Sequence, residues 1–382
     1  MALTNYAVEL RLNTPSWDGM GQDHKSIFTH TPDAKRYEFV KRALQKALPD
    51  AQLGSSSIKC LIDYSTKRPD TMVGTHLVIP TNGAPVVLHA KKLFHSPTYQ
   101  LSDKVYQFYN QNGISAAQLV TSPDGEIVHD VDGLSVYVTD YHVGRHPDQL
   151  SDVFHVAATL AHVHRLNKVM PHEIVEAVEA NSEGTLHWLR SGGEFLNTDE
   201  GRQALSSVIP NTEVTDFILR ANARFDKAMQ GQMMMGSSDL IEGNVVINDN
   251  TKQVTLLDFD NIAASWMPEG TDIGLAVYRI ALNFSREADG IQNDVKAITQ
   301  FLDGYNSVAE GGDRLDLQRL FEYAVIGNFT KVLTHAHLIS AGDTSDRMRS
   351  GLERFSQMAF DIHSRFSKIA EAKGQTLTLT LG

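Results

Sequence analysis

The sequence predicts an α+β protein of two lobes, a smaller N-terminal lobe built on a β-sheet and a larger, mostly helical C-terminal lobe. The chain has 382 residues, which is long enough for two lobes with separate cores. Short apolar runs separated by turn signals fill residues 58–140, and the apolar residues that follow recur mainly at helical spacing. We therefore expect a sheet lobe at 58–140, a helical lobe at 141–382 and, before them, an N-terminal extension at 1–57 with one amphipathic helix.

Composition narrows the class of protein. The chain carries 34 Lys and Arg against 46 Asp and Glu, a formal net charge of −12. This balance argues against nonspecific binding to nucleic acid or to an anionic membrane, and it is compatible with a cationic substrate. A single cysteine, Cys60, excludes an internal disulfide and fits a reducing compartment. With no secretory-signal pattern and no apolar run of about 18 residues, the expected location is the cytoplasm.

The sheet of the smaller lobe is predicted to be antiparallel and five-stranded. The Asn82-Gly83 pair lies between two of the expected strands and is typical of a hairpin turn. The five expected strands are residues 58–64, 74–80, 85–94, 119–121 and 134–139.

A carboxylate and an amide flank a second predicted hairpin further along the chain. Asp239 is followed five positions later by Asn244, in the string DLIEGN. Two apolar runs, 245–247 and 254–257, are separated by a turn-rich tetrapeptide, as in a β-hairpin. Asp258 follows the second run directly. Because a hairpin folds back on itself, we expect Asn244 and Asp258 to return to the same end, near Asp239.

These side chains suit phosphoryl transfer. Hard oxygen donors that converge with substrate phosphate oxygens are the ligands that Mg²⁺ prefers. One Asp could accept a proton from an attacking hydroxyl, while the Asn and a second Asp hold the metal. The alternative is a buried polar turn in which Asp258 and Asp260 only cap or solvate the hairpin.

The stretch resembles the catalytic segment of the aminoglycoside phosphotransferase and choline kinase family, a small-molecule branch of the protein-kinase-like fold. In that family the loop usually reads H-G-D-x-x-x-x-N and is followed by a hairpin and an Asp-containing triplet. Here the triplet is Asp258-Phe259-Asp260. Pro268 and the segment around Asp272 resemble the family's P-x-x-D-L-A, in which the Asp usually buttresses the catalytic loop. Ser237 departs from the family pattern, because a His is usual there.

The resemblance spans roughly residues 58–340 and implies a bilobal protein-kinase-like fold. It implies a kinase that transfers the γ-phosphoryl of ATP or GTP to a hydroxyl of a small molecule. Asp239 would be the catalytic base, Asn244 and Asp258 the Mg²⁺ ligands, and Asp260 a weaker metal candidate. The implied acceptor is an aminoglycoside, an amino alcohol or a sugar.

The same resemblance assigns nucleotide contacts in the smaller lobe. One lysine at the end of the third strand would contact the α- and β-phosphates, and Ala90-x-Lys92 has the usual spacing, so Lys92 is favoured over Lys91. Adjacent residues on a strand face opposite sides, so at most one of them enters the cleft. Asp103 takes the position of the acid that pairs with this lysine, where Glu is usual. Its alternative role is that of an acidic residue favoured near a helix N-terminus.

Tyr141 and His142 fall in the segment that resembles the kinase hinge, which contacts adenine through its main chain. His162 and His164 lie two positions apart on a predicted helix and face different sides, so packing is favoured over a shared metal. In the family the helices at 168–234 contribute to the acceptor wall. The acidic run in this segment could attract an amine, and a solvated helix face is the favoured alternative: Glu173, Glu176, Glu179 and Glu183.

Two competing functions follow from the same residues. A protein kinase is disfavoured by the helical insertion and by the absence of an A-P-E segment after Asp258. A nucleotide-binding regulatory protein with weak or no catalysis is favoured by Ser237 and Asp103, and disfavoured by the retention of Asp239, Asn244 and Asp258. The expected partner is a small-molecule acceptor, and the chain could act as a monomer or a homodimer.

Overall fold

Residues 34–54, 58–63, 74–92, 96–237, 240–257, 262–285 and 290–377 are described in a computed structural model of the chain. They divide into two structural units. The sheet unit comprises Met1–His146 and Val246–Asp260, and the helical unit comprises Pro147–Val245 and Asn261–Gly382.

The sheet unit is organised around one antiparallel sheet. In spatial order its strands are Ile58–Asp63, Gly74–Val78, Val86–Lys92, Leu134–Asp140 and His129–Val131, which are numbered β1, β2, β3, β6 and β5. The apolar alternation predicted for strands places one face of this sheet in a core. Its elements, in chain order, are α1 (Ala34–Ala47), β1 (Ile58–Asp63), β2 (Gly74–Val78), β3 (Val86–Lys92), α2 (Ser96–Gln111), β4 (Ser115–Ala116), β5 (His129–Val131) and β6 (Leu134–Asp140).

Helix α1 covers one face of this sheet. Its apolar stripe, which includes Phe39, Val40 and Leu44, is buried against alternate residues of the strands, such as Leu88 and Val136. Each large apolar side chain buried in this way contributes about 1.5–3 kcal/mol to stability. The helix is therefore an integral part of the core of the sheet unit.

The edge of the sheet differs from the prediction. Residues 119–121 do not form a strand, and Leu119 makes only an isolated bridge to Thr139. The edge strand is instead β5, joined to β6 by Asp132 and Gly133, which have φ angles of 55° and 74°. Two positive φ angles in a two-residue connection are typical of a type I′ hairpin, and Asp-Gly is a sequence that favours it.

The second predicted hairpin is confirmed. Strands β8 (Val245–Ile247) and β9 (Val254–Leu256) are neighbours in a small sheet ordered β4-β9-β8. In the turn, Asn248 N–H donates to the carbonyl of Gln253 at 2.9 Å, and Lys252 N–H donates to the carbonyl of Asn248 at 2.8 Å. The hairpin thus joins the end of the predicted catalytic loop to the position of Asp258.

The helical unit contains long amphipathic helices around one short pair of strands. Residues 168–234 are mainly helical, as predicted. The elements of this unit are α3 (Leu150–Asn167), α4 (His172–Asn197), α5 (Asp199–Val208), α6 (Thr212–Met229), β7 (Met233–Met235), β10 (Trp266–Pro268), α7 (Thr271–Ala276), α8 (Ile291–Asn306), α9 (Leu317–Ser340) and α10 (Asp346–Ala372).

Helix α7 does not continue as a regular α-helix. A π-helical turn, Val277–Ala281, and a short 3₁₀ turn, Leu282–Ser285, follow it. Glycines allow α7 to approach α9 closely, since a Cβ at Gly274 would lie 1.9 Å from the carbonyl oxygen of Tyr323. In the described part of the chain, no helix is both long enough and apolar enough to cross a membrane.

Candidate active site

The predicted catalytic loop begins where strand β7 ends. Met235 pairs with Trp266 of β10 in an antiparallel register. Just beyond the strand, Gly236 N–H donates to the carbonyl of Ser265 at 2.9 Å. Three methionines thus form a short strand that is paired with β10. The Gly236–Ser265 hydrogen bond fixes the position of the main chain directly after this strand.

Asp272 holds the main chain at this point. Its Oδ2 accepts a hydrogen bond from Ser237 N–H at 2.5 Å, and only 5% of the residue is exposed. A Cβ on Gly236 would lie 3.1 Å from this carboxylate, so the close approach favours glycine. The contact expected of an Asp that buttresses the catalytic loop is therefore present.

A buried histidine supports the carboxylate from the other side. His164 Nε2 lies 2.8 Å from Asp272 Oδ2, and His164 Nδ1 lies 2.8 Å from the hydroxyl of Tyr305. Because an ionised carboxylate only accepts hydrogen bonds, Nε2–H donates to it. A second hydrogen bond joins His164 Nδ1 and the Tyr305 hydroxyl. Helices α3, α7 and α8 are joined by this chain of bonds.

Electrostatics favour the ionised form of Asp272. Burial by itself would raise the pKa of this carboxyl, but His164 and the bond from Ser237 N–H more than offset it and lower the pKa below its ordinary value. Burial and the nearby charge of Asp272 raise the pKa of Tyr305, so the phenol keeps its proton. At neutral pH the Asp272 carboxylate therefore stays a hydrogen-bond acceptor for Ser237 N–H and His164 Nε2.

Helix α3 makes a second contact with the same segment. Asn167 Nδ2 donates to the carbonyl of Met235 at 2.8 Å and lies 3.4 Å from that of Gly236. Asn167 is three positions after His164, so both side chains lie on one face of the helix. One helix face therefore fixes the strand end directly and, through Asp272, the start of the loop.

The second half of the loop is held by an ion pair. Residues Glu242–Asn244 form a 3₁₀ turn, in which Asn244 N–H donates to the carbonyl of Ile241 at 3.0 Å. Glu242 pairs with Arg279 of the π-helical turn at 3.5 Å, and both side chains are largely buried. Asn244, the predicted metal ligand, is half-buried directly before β8.

In the sheet unit, the side chains of strand β3 alternate between the two faces of the sheet. Leu88 and Ala90 are buried in the core with α1. On the opposite face, His89 stacks on Tyr137 at 4.5 Å between ring centroids, and Lys91 Nζ lies 5.9 Å from the same ring. Burial, followed by the charge of Lys91, lowers the pKa of His89 well below its ordinary value. The side chain of Lys91 thus lies on the face of the sheet opposite helix α1.

Asp103 lies on helix α2 and is partly buried. Its carboxylate accepts from Gln107 Nε2 at 2.6 Å and also from the main-chain N–H of Leu119. Burial raises the pKa of Asp103 in spite of these bonds. The Asp103 carboxylate is therefore already hydrogen-bonded within the sheet unit, and the predicted pairing with a β3 lysine stays a prediction.

The predicted hinge residues follow strand β6. His142 Nε2 lies 3.0 Å from Asp140 Oδ2, and burial raises the pKa of Tyr141. Gly144 permits a close approach to β8, since a Cβ there would lie 2.8 Å from the carbonyl oxygen of Ile247. Arg145 pairs with Ile247 in an isolated antiparallel bridge and with Asp249 at 2.7 Å.

Four other predicted site groups lie outside the described residues: Asp239, Asp258, Asp260 and the side chain of Lys92. The roles of these residues and of Asn244 therefore stay predictions. Within the ranges described above, no group of three or more His, Cys, Asp or Glu side chains is arranged to hold a metal ion. The amide oxygen of Asn244 is a donor of the type that Mg²⁺ accepts.

Sequence reasoning missed three residues of this arrangement: His164, Asn167 and Tyr305. His164 was favoured for packing, and no role was predicted for the other two. For His164 and Asn167 a signal existed, because they are spaced by one helical turn in a predicted helix with an apolar stripe. Tyr305 gave no signal, because its partner lies 141 positions away.

Comparison with solved structures gives the fold. An amicoumacin kinase crystallised with AMP-PNP, Ca²⁺ and its antibiotic matches at a TM-score of 0.55 and 16% identity, over 86% of this chain and 94% of that one. The fold is that of a small-molecule kinase. A spectinomycin phosphotransferase bound to ADP and spectinomycin matches at 0.55 and 13% identity, over 87% and 98% of the two chains.

A third kinase of this fold is a microcompartment-associated aminopropanol kinase, with a TM-score of 0.56, 16% identity and coverage of 89% and 100%. These identities are low enough that the likeness establishes the fold alone. No protein-family model matches the chain. No curated protein matches it either.

Proposed function

We propose that this protein is a kinase that transfers the γ-phosphoryl group of ATP to a hydroxyl group of a small molecule. The observation that carries the proposal is the bond from Ser237 N–H to Asp272, which fixes the start of the loop that contains Asp239. Solved kinases of the same fold were crystallised with AMP-PNP or ADP, which supports a nucleotide substrate here. GTP is an alternative donor.

Asp239 is proposed to accept the proton of the attacking hydroxyl and to orient its oxygen toward the γ-phosphorus. Asn244, Asp258 and Asp260 would hold Mg²⁺. The bound ion supplies charge neutralisation for the phosphate oxygens. Since positioning and electrostatic stabilisation carry most of phosphoryl transfer, the anchored loop is the central contribution of the protein.

For the phosphate lysine we propose Lys91 ahead of Lys92, and the position of Lys91 on the face of β3 opposite α1 supports this choice. Tyr141 and His142 would lie beside the adenine, and Asp103 would support the lysine. In this proposal residues 58–140 bind nucleotide and residues 141–382 carry catalysis and the acceptor site. A cytoplasmic location fits the same activity.

The test is Mg²⁺-dependent consumption of ATP and GTP with a panel of aminoglycosides, amino alcohols, sugars and hydroxy amino acids. Asp239→Asn is the control variant. We expect an acceptor-dependent activity that falls by about 10²-fold or more in this variant, because general-base assistance contributes about 10²–10⁴-fold. Unchanged turnover in Asp239→Asn would contradict the proposal, and phosphorylation of a protein panel instead would favour a protein kinase.

The alternative function, a regulatory nucleotide-binding protein, predicts a different experimental result. It would bind Mg²⁺·ATP, measured by calorimetry, without turnover on any acceptor. The side chains that anchor the loop, among them His164 and Asn167, favour the enzyme, because a loop without chemistry has less need of such a support.

A further inference from the structure

A cavity of about 200 Å³ lies in the helical unit beside the start of the catalytic loop. Helices α4, α7 and α9 and the paired strands β7 and β10 surround it. Gly236 and Asp272 form part of its wall, so it reaches the segment that leads into Asp239. It is smaller than the roughly 300–1,000 Å³ occupied by drug-sized ligands. Its occupant would be correspondingly small.

The wall is partly apolar and partly lined by hydroxyl groups. Met234, Met267 and Leu189 contribute apolar surface. Thr271 and Thr330 donate their hydroxyl protons to main-chain carbonyls, each at 2.7 Å. A hydroxyl that has donated its proton still offers lone pairs. The wall can therefore accept hydrogen bonds from hydroxyl or ammonium groups of a ligand.

The described wall carries one charge of each sign. Its only described carboxylate is Asp272, which is buried and already accepts bonds from Ser237 N–H, His164 and Ile273 N–H. The only described cation is Lys331, which is half-buried on α9. No described carboxylate lies within ion-pairing distance of its ammonium group. Because the Asp272 carboxylate already accepts three hydrogen bonds, Lys331 is the charged group of the wall that is suited to an anionic ligand.

We propose that this cavity binds the phosphoryl acceptor and that the acceptor carries a carboxylate as well as its hydroxyl. The inference rests on the proposed kinase function. Lys331 pairs with the carboxylate, and the oxygens of Thr271 and Thr330 accept bonds from hydroxyl or amino groups. The class is therefore a small hydroxy acid or hydroxy amino acid, in place of the cationic acceptor that the acidic composition allows.

The reaction balances with ATP as the donor. The acceptor's hydroxyl oxygen forms a bond to the γ-phosphorus as the bond from that phosphorus to the β–γ bridging oxygen breaks. ADP leaves with the electron pair of the broken bond. The hydroxyl proton passes to the carboxylate of Asp239. The acceptor's own carboxylate stays bound to Lys331 throughout and takes no part in bond making.

The experiment compares acceptors that differ only by a carboxylate: L-serine with ethanolamine, L-threonine with 1-amino-2-propanol, and L-homoserine with 3-amino-1-propanol. Choline, kanamycin and glucose complete the panel. Formation of the phosphorylated product is measured by mass spectrometry with Mg²⁺·ATP. We expect kcat/KM for at least one acid to exceed that of its partner by about tenfold or more, since a charge-assisted hydrogen bond contributes about 1.5–3 kcal/mol.

Variants of Lys331 test whether this residue causes the preference for acceptors that carry a carboxylate. Lys331→Gln should remove the preference for the acid, Lys331→Arg should keep it, and Lys331→Glu should shift it to the amino alcohol. Lys368→Gln, which changes an exposed lysine on α10, should leave it unchanged. Thermal unfolding of each variant verifies that the fold is intact.

Two outcomes would overturn the proposal. The first contradicts only the acceptor class, and the second contradicts the kinase function as well. If amino alcohols, choline or kanamycin are the better substrates and Lys331 variants leave kcat/KM unchanged, the carboxylate class is wrong and the kinase function stands. If no acceptor is phosphorylated while ATP binding persists, both proposals fail together.

Discussion

His164 Nε2 and Asp272 Oδ2 lie 2.8 Å apart, and each residue is 5% exposed. The pair lies between the Tyr305 hydroxyl and the main-chain N–H of Ser237, so helix α8 is connected to the start of the predicted catalytic loop through three side chains. A charge buried in this way is stabilised only while its partners remain, and loss of one partner costs about 3–5 kcal/mol. The stability and the activity of the helical unit should therefore depend on this pair together.

The first prediction concerns pH. Asp272 has a lowered pKa in the folded protein, so its contribution to stability is present above the ordinary carboxyl pKa of about 3.9 and is lost as the pH falls through the lowered value. The difference in free energy of unfolding between the native protein and Asp272→Asn should be largest near neutral pH and should shrink below about pH 4. Denaturant titrations at several pH values measure it, and a difference independent of pH would contradict the assignment.

The second prediction concerns Tyr305→Phe. Removing the hydroxyl leaves His164 Nδ1 without its partner inside the core, at a cost of about 1–3 kcal/mol. Because the change acts on the position of the loop, kcat should fall while KM for ATP stays nearly constant. Tyr37→Phe is the matched control, since among the described residues the Tyr37 hydroxyl bonds only to the carbonyl of Gly54, in the sheet unit. Equal effects of the two variants on kcat would argue against the connection to the loop.

The third prediction concerns Asn167→Ala. The buried carbonyl of Met235 loses its donor, and the expected loss of stability is about 1–3 kcal/mol. Asn112→Ala removes an exposed amide from the turn that follows α2 and should change stability by no more than about 0.5 kcal/mol. Chemical denaturation of both variants gives the comparison. Equal destabilisation by the two substitutions would mean that the buried Asn167 bond contributes no more to stability than an exposed one.

The fourth prediction compares two glycines of the loop segment. Gly236→Ala places a methyl group 3.1 Å from the Asp272 carboxylate and should lower the melting temperature. At Gly243, an added Cβ meets nothing within 4 Å among the described residues. Gly243→Ala should therefore leave the melting temperature close to that of the native protein. A larger loss at Gly243 would contradict the packing around Asp272.

The fifth prediction concerns the phosphate lysine. Lys91→Met should raise KM for ATP by about tenfold or more, because a charge-assisted hydrogen bond to phosphate contributes about 1.5–3 kcal/mol. Lys104→Met, at an exposed position on α2, should leave it unchanged. If Lys92→Met raises KM and Lys91→Met does not, the spacing argument that favours Lys92 is the better guide.

Patterns along the chain were sufficient for the two-lobed fold, most long helices and the hairpin after Asn244, because each depends on periodicity or on turn residues close in sequence. The edge strand β5 was missed although Asp132-Gly133 is a strong turn signal, because the three-residue strand before it is too short to show alternation. The support of the loop could be predicted only in part. Asp272 has a motif, whereas Tyr305 contacts His164 only after α3 and α8 pack together.

Helix α1 determines how the chain can be shortened. The family resemblance begins near residue 58, but a fragment that starts there would expose the face of the sheet that Phe39, Val40 and Leu44 cover. Such a fragment presents a continuous apolar surface on strands that are otherwise paired, which favours aggregation. The smallest soluble piece for expression, crystallisation or domain exchange therefore has to begin before Ala34.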